Sequence, residues 1–333
     1  MTLPKLLNQK QNRNTDRLYD LFLVQLVKLH QSGTAFSLDR LIGRYLSMSE
    51  LSLLEEVNKL KAWLDSFRPL SPIIVKELKK LYDVQFTYNS NAIEGNTLTQ
   101  SETELVLSKG ITIGGKTLIE HLEVIGHKDA IDYVESLSGQ QQSLGKWEIK
   151  QIHNLILRKI SPDEAGRYRQ LDIAHSLAPG GDAGSLVKAA GTNYLYPPHY
   201  LIPQLMADFI DWLNSKSAQN LHPVEYAATA HYRFVSIHPF RDGNGRTGRL
   251  LMNLLLLRSG YPIVIIFNER RNDYINAIAY GQSNNDDIDD LIDLVLSATR
   301  SSLIETLSLI ATAADSRGKG QPFYREMMAV LDS

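Results

Sequence analysis

The sequence predicts a mainly α-helical protein with one small β element, and three observations point to that fold class. Apolar residues recur about one helical turn apart along most of the 333-residue chain. Proline, glycine and helix-capping residues stand where these periodic stretches end. One long stretch, 166–198, lacks the helical period, and its β-prone pieces between glycines favour a small β-hairpin flap.

The composition is typical of a globular protein and excludes several classes of function. Hydrophobic residues make up 43% of the chain and charged residues 22%, which allows a sizeable buried core. The formal net charge of −2 argues against a protein whose main role is to coat nucleic acid, so we expect no direct nucleic acid binding. The absence of cysteine excludes disulfide scaffolds, thiolate nucleophiles and cysteine zinc sites.

No segment of the sequence has the pattern of a signal peptide or of a membrane-spanning helix. The first residues lack an apolar core, and the longest strongly apolar stretch runs only from Leu250 to Leu257. A spanning helix needs roughly 20 apolar residues. We therefore expect a cytoplasmic protein with no membrane partner.

The first part of the chain reads as helices followed by a break. Apolar residues recur at helical spacing from Leu18 to Leu29 and from Leu51 to Leu64. The prolines of 68–72 interrupt this pattern, so we predict an N-terminal helical extension over 1–69. Ser71 is a suitable cap for the next helix, predicted over about 74–95, and Pro72 suits its first turn.

The rest of the chain is predicted to form one unit over 70–300 and a helical tail over 301–333. Gly95 suits the end of the first helix of this unit. Tryptophans 63, 147 and 212 fall on amphipathic helices and are predicted to lie in the core. The further helices are predicted at about 100–108, 118–137, 146–159, 200–214, 222–237, 244–258, 270–281 and 286–314, with one more after a break at 316–320.

One stretch, HPFRDGNGRTGR at 238–249, combines the parts of an anion-binding site. Gly243 and Gly245 allow a tight turn and a close approach of the backbone to a ligand. A helix is predicted to begin between them, and the N–H groups at a helix start bind anions. Arg246 and Arg249 add forked donors suited to phosphate oxygens.

Two further residues of the same stretch supply groups for phosphoryl chemistry. Asp242 offers a hard oxygen ligand of the kind that Mg²⁺ takes together with phosphates. Histidine is the residue type that titrates near neutrality, so His238 is the best available general base. A glycine-rich turn with solvated arginines is the alternative interpretation, but this combination favours a phosphoryl-transfer site.

The stretch from His238 to Arg249 matches in full the signature of the Fic (filamentation induced by cAMP) family, His-x-Phe-x-Asp/Glu-Gly-Asn-Gly-Arg-x-x-Arg. The chain resembles that family over roughly 70–300. The resemblance implies an all-α core and an enzyme, a nucleotidyltransferase that moves AMP from ATP to a Ser, Thr or Tyr hydroxyl of a target protein or of itself. Pyrophosphate would be released.

The resemblance also implies a role for each matching residue. His238 would be the catalytic base, and Asp242 would hold a Mg²⁺ ion bridging the α- and β-phosphates. Asn244 and the backbone from Gly243 to Arg246 would bind the phosphates, and Arg249 would pair with the γ-phosphate.

A second motif precedes the first, in SNAIEGN at 90–96. Taken alone, Glu94 lies near the C-terminus of a helix, where the dipole disfavours a negative charge. Ser90, Glu94 and Gly95 match the family's inhibitory motif, Ser/Thr-x-x-x-Glu-Gly/Asn. The resemblance implies a salt bridge from Glu94 to Arg249 that blocks the γ-phosphate position, as in the class with an N-terminal inhibitory helix.

Two regions of the resemblance are less well matched. The stretch from Gly166 to Arg169 resembles the start of the family's flap, where the target protein would dock, but Ala178 to Thr192 looks like an insertion. The stretch from Arg271 to Tyr274 resembles the border of the adenine pocket, and Tyr274 is expected to contact the nucleotide. Ile275 follows it, where a second aromatic residue is often found.

Several alternatives stay open at the level of sequence. The same residues would serve a protein de-AMPylase, with Glu94 orienting water, or a nucleotide-sensing regulator with little turnover. A homodimer is one expected form of the chain. Some relatives carry a C-terminal winged-helix domain; the 33 residues after position 300 are too few to contain one, so we expect such a domain to be absent or truncated here.

Overall fold

A computed structural model of the chain describes residues 53–140, 142–171, 194–312 and 322–331, and the protein is mostly helical over these residues. Short 3-10 turns cover His199–Leu201 and Asn268–Arg270. The α-helices of the described residues, in chain order, are α1 (53–66), α2 (Pro72–Ile93), α3 (Gln100–Lys109), α4 (Leu118–Ser138), α5 (Lys146–Leu157), α6 (Ile202–Leu213), α7 (Lys216–Gln219), α8 (Pro223–Ile237), α9 (Asn244–Arg258), α10 (Arg271–Ser283), α11 (Asp289–Thr312) and α12 (Pro322–Leu331).

The mainly α prediction is confirmed, and the ends of the helices follow local chemistry. Ser71 caps α2 by accepting a hydrogen bond from the Ile74 N–H at 3.4 Å, with a proline in the first turn. Gly95 follows α2 with φ of +101°, a conformation that glycine adopts without strain. Helix α11 begins at Asp289, later than predicted, because Asn285 and Asp286 take left-handed conformations that end any helix there.

Helix α9 lies at the centre of the fold. It packs against α8, α4 and α5, while α2 packs against α3, α4 and α9. Every residue of α9 from Arg246 to Leu256 is buried, which is the pattern of a helix surrounded by other helices. The two arginines expected to bind phosphate are therefore held on a helix that is buried along most of its length.

The predicted β-hairpin is not present in the described residues. Residues 166–171 and 194–198 form no strand, apart from an isolated bridge at Leu195. Residues 172–193, with the expected insertion from Ala178 to Thr192, lie outside the described residues. The helices expected before position 53 and the break at 316–320 also lie outside them, and the predicted last helix is present as α12.

The chain divides into two compact units, Met1–Glu56 and Val57–Ser333. Of the first unit only residues 53–56 are described, and they are helical. The second unit contains α2 to α12 and all the residues of the two motifs. The boundaries proposed from the sequence at 69 and 300 stay predictions.

Two observations differ from expectations about apolar surfaces. Trp147 is 67% exposed in the first turn of α5, so its predicted place in the core is wrong, whereas Trp63 is buried.

Among the described residues, the stretch Asp289–Ala311 is long and apolar enough to span a membrane, with mean hydropathy of 1.3. Its apolar window is 56% buried within the protein, and α11 packs against α8 and α2.

Candidate active site

The turn between α8 and α9 holds His238 in an unusual backbone conformation. His238 ends α8 with φ of 51° and ψ of 59°, and its N–H donates to the Phe234 carbonyl at 3.1 Å. A left-handed conformation is uncommon for a residue with a side chain. It directs the chain out of α8, and the imidazole lies against the Tyr196 ring, with ring centres 4.1 Å apart.

Arg169 fixes this turn from outside. Its Nε donates to the His238 carbonyl at 2.8 Å, its backbone N–H donates to the Pro239 carbonyl at 3.0 Å, and its guanidinium also bonds the Pro197 carbonyl. Arg169 is buried, so these bonds are shielded from water. The sequence indicated Arg169 only as part of the flap, and the structure shows that it supports the turn that carries His238.

The side chain of Asn244 closes the loop before α9. Its Oδ1 accepts from the Phe240 N–H at 3.0 Å, and its Nδ2 donates to the Phe240 carbonyl at 2.9 Å. Both polar ends of the amide are therefore used within the loop. The expected part of Asn244 in phosphate binding stays a prediction, and with its amide in use it would fall to the backbone N–H at the helix start.

His153 on α5 supports the loop before α9, and the sequence did not indicate this residue. Its Nδ1 accepts from the Gly166 N–H at 2.9 Å, so Nε2 carries the proton and donates to the Asp242 carbonyl at 2.9 Å. The ring stacks on Phe240 with centres 3.6 Å apart. Burial lowers the pKa of His153 to about 4, so the imidazole is neutral near pH 7.

The start of α9 is where the sequence predicts an anion site, and the Glu94 carboxylate lies against it. The Thr247 N–H makes the first hydrogen bond of this helix, to the Gly243 carbonyl at 2.9 Å, so the preceding N–H groups point out of the helix start. Gly243 has φ of +74°. At Gly245 a Cβ atom would stand 2.2 Å from Glu94 Oε1, so only glycine leaves room for that carboxylate.

Arg249 makes the densest set of contacts in the site. Its guanidinium donates to the Ser90 hydroxyl at 3.0 Å, the Ser90 carbonyl at 2.8 Å, the Tyr274 hydroxyl at 3.2 Å and Glu94 Oε1 at 2.7 Å. Arg249 is 1% exposed, whereas the Glu94 side chain is 37% exposed. Burial alone would lower the pKa of Arg249, but Tyr274 and Glu94 outweigh it and the pKa is raised.

Tyr274 continues this network into the core. Its hydroxyl lies 2.7 Å from His231 Nε2, and Tyr274 as a whole is 1% exposed. Burial lowers the pKa of His231 to about 3, so its neutral Nε2 accepts from the hydroxyl, which in turn accepts from Arg249. The structure thus places Tyr274 behind Arg249, and its expected contact with the adenine stays a prediction.

Arg246 is the second buried arginine, and its charge is balanced by two carboxylates. Its guanidinium donates to Glu123 Oε1 at 2.9 Å and to Asp242 Oδ2 at 3.3 Å. Glu123 is on α4 and was not identified from the sequence, because nothing near it in the chain marks it as a partner of Arg246. Asp242 Oδ1 accepts from the Gly243 N–H at 2.6 Å.

The carboxylate of Asp242 fits the predicted magnesium ligand. Its side chain is 66% exposed and stands beside the helix start where phosphates would bind. A single exposed carboxylate together with phosphate oxygens and water is a usual donor set for Mg²⁺. The residues present therefore suit the ion.

Elsewhere in the described residues, Asp83, Asp132 and Glu135 lie close enough to share a cation. Lys79 contacts all three carboxylates, including Asp132 at 2.8 Å. Lys128 contacts Asp83 at 3.2 Å and Asp132 at 2.6 Å. The lysine ammonium groups already balance this cluster, which makes it a network of ion pairs.

Comparison with known proteins agrees with this geometry. A model of the Fic/DOC family matches residues 143–256. The chain is 38% identical over 248 residues to a protein adenylyltransferase Fic of Nematostella vectensis, covering 74% of this chain and 54% of that protein. It is 33% identical over 300 residues to the protein of the same name of Drosophila mojavensis, covering 88% and 55%. The chain thus spans about half the length of these relatives.

Solved structures agree with the sequence relatives. Fic-1 from C. elegans superposes with a TM-score of 0.69 at 30% identity, covering 81% of this chain and 75% of that chain. The match extends well beyond the twelve-residue motif, so the arrangement of helices around the site is shared as well.

Proposed function

The chain belongs to the Fic/DOC family, and on that basis we propose that it is a protein adenylyltransferase held inactive by its own Glu94. It would transfer AMP from ATP to a Ser, Thr or Tyr hydroxyl of a target protein or of itself. The observation that carries the proposal is the convergence, on one buried helix start, of a base, two arginines and a competing carboxylate.

The proposed reaction begins at His238. Its imidazole takes the proton of the acceptor hydroxyl, and the hydroxyl oxygen attacks the α-phosphorus in line with the leaving group. The bond between the α-phosphorus and the bridging oxygen breaks, and pyrophosphate leaves with that electron pair. The hydrogen bond from Arg169 to the His238 carbonyl supports this role, because it fixes the backbone of the base. A general base must lie within hydrogen-bond reach of the proton that it accepts.

The phosphates would bind at the start of α9. The outward N–H groups there and the positive end of the helix dipole favour the developing negative charge. Asp242 would hold a Mg²⁺ ion, which when bound neutralises charge on the phosphates. Arg249 would then donate to the γ-phosphate with the same N–H group that now contacts Glu94.

The inhibition follows from this overlap at Arg249. A phosphate oxygen and the Glu94 carboxylate cannot both accept from the same N–H group of Arg249 at 2.7 Å. Hydrogen bonds to charged groups are worth about 1.5–3 kcal/mol, which we reduce to about 1–2 kcal/mol because the Glu94 side chain is 37% exposed. This contact would then reduce the population of the nucleotide-competent state roughly 5- to 30-fold. Relief of inhibition requires only that Glu94 leave Arg249.

Substitution of Glu94 tests the proposal. With labelled ATP we expect Glu94→Gly to incorporate AMP roughly 5- to 30-fold faster than the wild type, from the same value of about 1–2 kcal/mol. Glu77→Gly is the matched control, since Glu77 is an exposed residue of the same helix. The double variant Glu94→Gly/His238→Ala should lose the incorporation again. Equal labelling of wild type and Glu94→Gly would refute the inhibition, and labelling by the double variant would refute the base.

A second candidate activity is the removal of AMP from a modified protein. The Glu94 carboxylate is 37% exposed beside the same helix start, and in this reaction it would orient a water molecule. Self-modified Glu94→Gly protein would serve as the substrate, with release of labelled AMP as the measurement. Release by the wild type and none by Glu94→Gly would favour removal as the net reaction. The acceptor protein, the expected homodimer and the cytoplasmic location stay predictions.

A further inference from the structure

A basic groove lies next to the catalytic turn, outside the phosphate site. It has a volume of about 550 Å³ and is lined by Lys150, Arg167, Tyr168, Arg169, Gln170, His199, Tyr200 and Pro203. Three of these residues carry permanent positive charge and none is a carboxylate. The whole chain has a net charge of −2, so this cluster of positive charges is a local feature of the groove.

Two of these cations are without an ion pair to any carboxylate in the described part of the chain. The ammonium of Lys150 lies over the Tyr168 ring, 4.1 Å from its centre. Burial and the nearby Lys146 both lower the pKa of Lys150, and no acidic group acts against them. Arg167 is exposed at the mouth of the groove. The positive charge of the groove is thus available to a partner.

Exposed aromatic rings border these charges. Tyr200, in the lining, is 69% exposed, and Trp147 is 67% exposed. Trp147 stands three residues before Lys150 on α5, so the two side chains share a face of that helix. Exposed aromatic residues beside arginine or lysine are a composition typical of protein–protein contact sites.

The groove is connected directly to the reacting end of the site. Arg169 forms part of its wall and donates from Nε to the His238 carbonyl at 2.8 Å. A polypeptide lying in the groove would therefore run past the turn that carries the proposed base. That neighbourhood is where an acceptor hydroxyl must be presented.

From these observations we infer that the basic groove binds an acidic segment of the acceptor protein, next to the hydroxyl that is modified. This inference rests on the proposed adenylyl transfer for the identity of the partner, and on charge complementarity for its chemistry. Aspartate and glutamate side chains of the segment would pair with Lys150 and Arg167, and its apolar residues would contact Tyr200 and Trp147.

Direct binding of peptides tests the inference without requiring turnover. The probes are fluorescein-labelled peptides with one central serine, flanked by aspartate and glutamate, by asparagine and glutamine, or by lysine. Exposed charge pairs contribute up to about 1 kcal/mol each, so reversing both cations with Lys150→Glu/Arg167→Glu should weaken binding of the acidic peptide about tenfold or more. Added salt should weaken it in the wild type, because the charges are screened.

The control is Lys76→Glu, which reverses an exposed lysine of α2 outside the groove and should leave binding unchanged. Unchanged thermal unfolding of each variant would exclude misfolding as the cause of a loss. Equal affinity for acidic and neutral peptides would overturn the inference. The inference would also be overturned if the protein bound single-stranded RNA tightly, lost that binding on reversal of both cations, and showed no preference among the peptides.

The outcome also separates this inference from the proposed reaction. Charge-dependent peptide binding with no AMP incorporation into any peptide or into the Glu94→Gly protein would count against adenylyl transfer, and the docking of acidic segments would stand. AMP incorporation that is indifferent to peptide charge and to both cations would support the reaction and overturn the docking surface.

Discussion

The substitution Gly245→Ala is expected to break the contact between Glu94 and Arg249 without touching either residue. A Cβ atom at position 245 would stand 2.2 Å from Glu94 Oε1, far inside van der Waals contact. The carboxylate is at the end of a flexible side chain that is 37% exposed, so it can move towards solvent. Movement relieves the clash and removes the 2.7 Å bond to the buried guanidinium.

The magnitude can be worked out from two opposing effects. The lost charge-assisted bond is worth about 1.5–3 kcal/mol, which we reduce to about 1–2 kcal/mol because Glu94 is partly in water. Alanine is favoured over glycine in a helix by up to about 1 kcal/mol. Gly245→Ala should therefore leave the wild type unchanged or less stable by about 1 kcal/mol, and should stabilise a Glu94→Gly protein by roughly 0.5–1 kcal/mol.

The most decisive quantity is the difference between the effect of Gly245→Ala on the free energy of unfolding in the wild type and its effect in the Glu94→Gly protein. The new methyl group also approaches Arg249 Nη1 at 3.1 Å, but that contact is present in both backgrounds and cancels in a double-mutant cycle. We expect a coupling free energy of about 1–2 kcal/mol between positions 94 and 245. Denaturant unfolding of the four proteins measures it.

Gly139→Ala is the matched control, because nothing lies within 4 Å of a Cβ atom at that position and its φ is −75°. It should show no coupling to Glu94→Gly. If Gly245→Ala changed the free energy of unfolding equally in both backgrounds, the ion pair would not be displaced and the reasoning would be refuted. Labelled ATP gives a second readout, since the same methyl group narrows the approach of phosphate and should lower AMP transfer by the Glu94→Gly protein.

Two further predictions concern the supports of the catalytic turn. Burial lowers the pKa of His153 from 6.5 to about 4, so its contribution to stability is fully present above pH 6.5 and is lost as the pH falls towards 4, by up to roughly 3 kcal/mol. His153→Gln keeps an acceptor for the Gly166 N–H and a donor for the Asp242 carbonyl, but it has no group that titrates in this range. The free energy of unfolding, measured in urea, should therefore depend less on pH between 6.5 and about 4 in this variant. A dependence on pH as steep as that of the wild type would contradict the role given to His153. Arg169→Lys cannot bridge the same carbonyls as a fork, and we expect AMP transfer in the Glu94→Gly background to fall about 10- to 100-fold through misplacement of His238. ATP binding should be unchanged, and a matching loss of ATP affinity would point to a different role.

The helices of the described residues were predictable because their signals are local. The Ser71-Pro72 pair and Gly95 mark the two ends of α2 within the residues next to them, and the structure uses each as expected. The left-handed pair before α11 was less visible, since Asn285 and Asp286 tolerate helix as well as turn. Local chemistry thus decides most boundaries and leaves the ambiguous ones to tertiary packing.

The supports of the site were not predictable in the same way. Glu123, His153 and Arg169 each bond a residue of the motif from another part of the chain, and no spacing rule links them to it. Asn244 shows the same limit from inside the motif. Its residue type suits a ligand contact, but the geometry of the loop commits its amide to Phe240.

Trp147 shows how a helical pattern can mislead at its first turn. Further along α5 the apolar face is buried at Ile149, Ile152 and Ile156. Trp147 precedes that face by two residues, which places it about 200° away around the helix, on the side of solvent. Amphipathic spacing therefore identified the buried stripe correctly, and residue type alone wrongly added the tryptophan to it.

Arg249 connects the fold to the proposed control of activity. A buried guanidinium is costly unless its charge is paired, and Ser90 and Tyr274 offer only neutral acceptors. Glu94 supplies the charge, from a position near the surface where its carboxylate can be replaced. A γ-phosphate would offer the same charge to the same donors, so the exchange of Glu94 for nucleotide replaces one charge-assisted bond with another. The proposed inhibited state would then be favoured by a small difference between two similar bonds, and any movement of α2 by a fraction of a hydrogen-bond length would shift that balance.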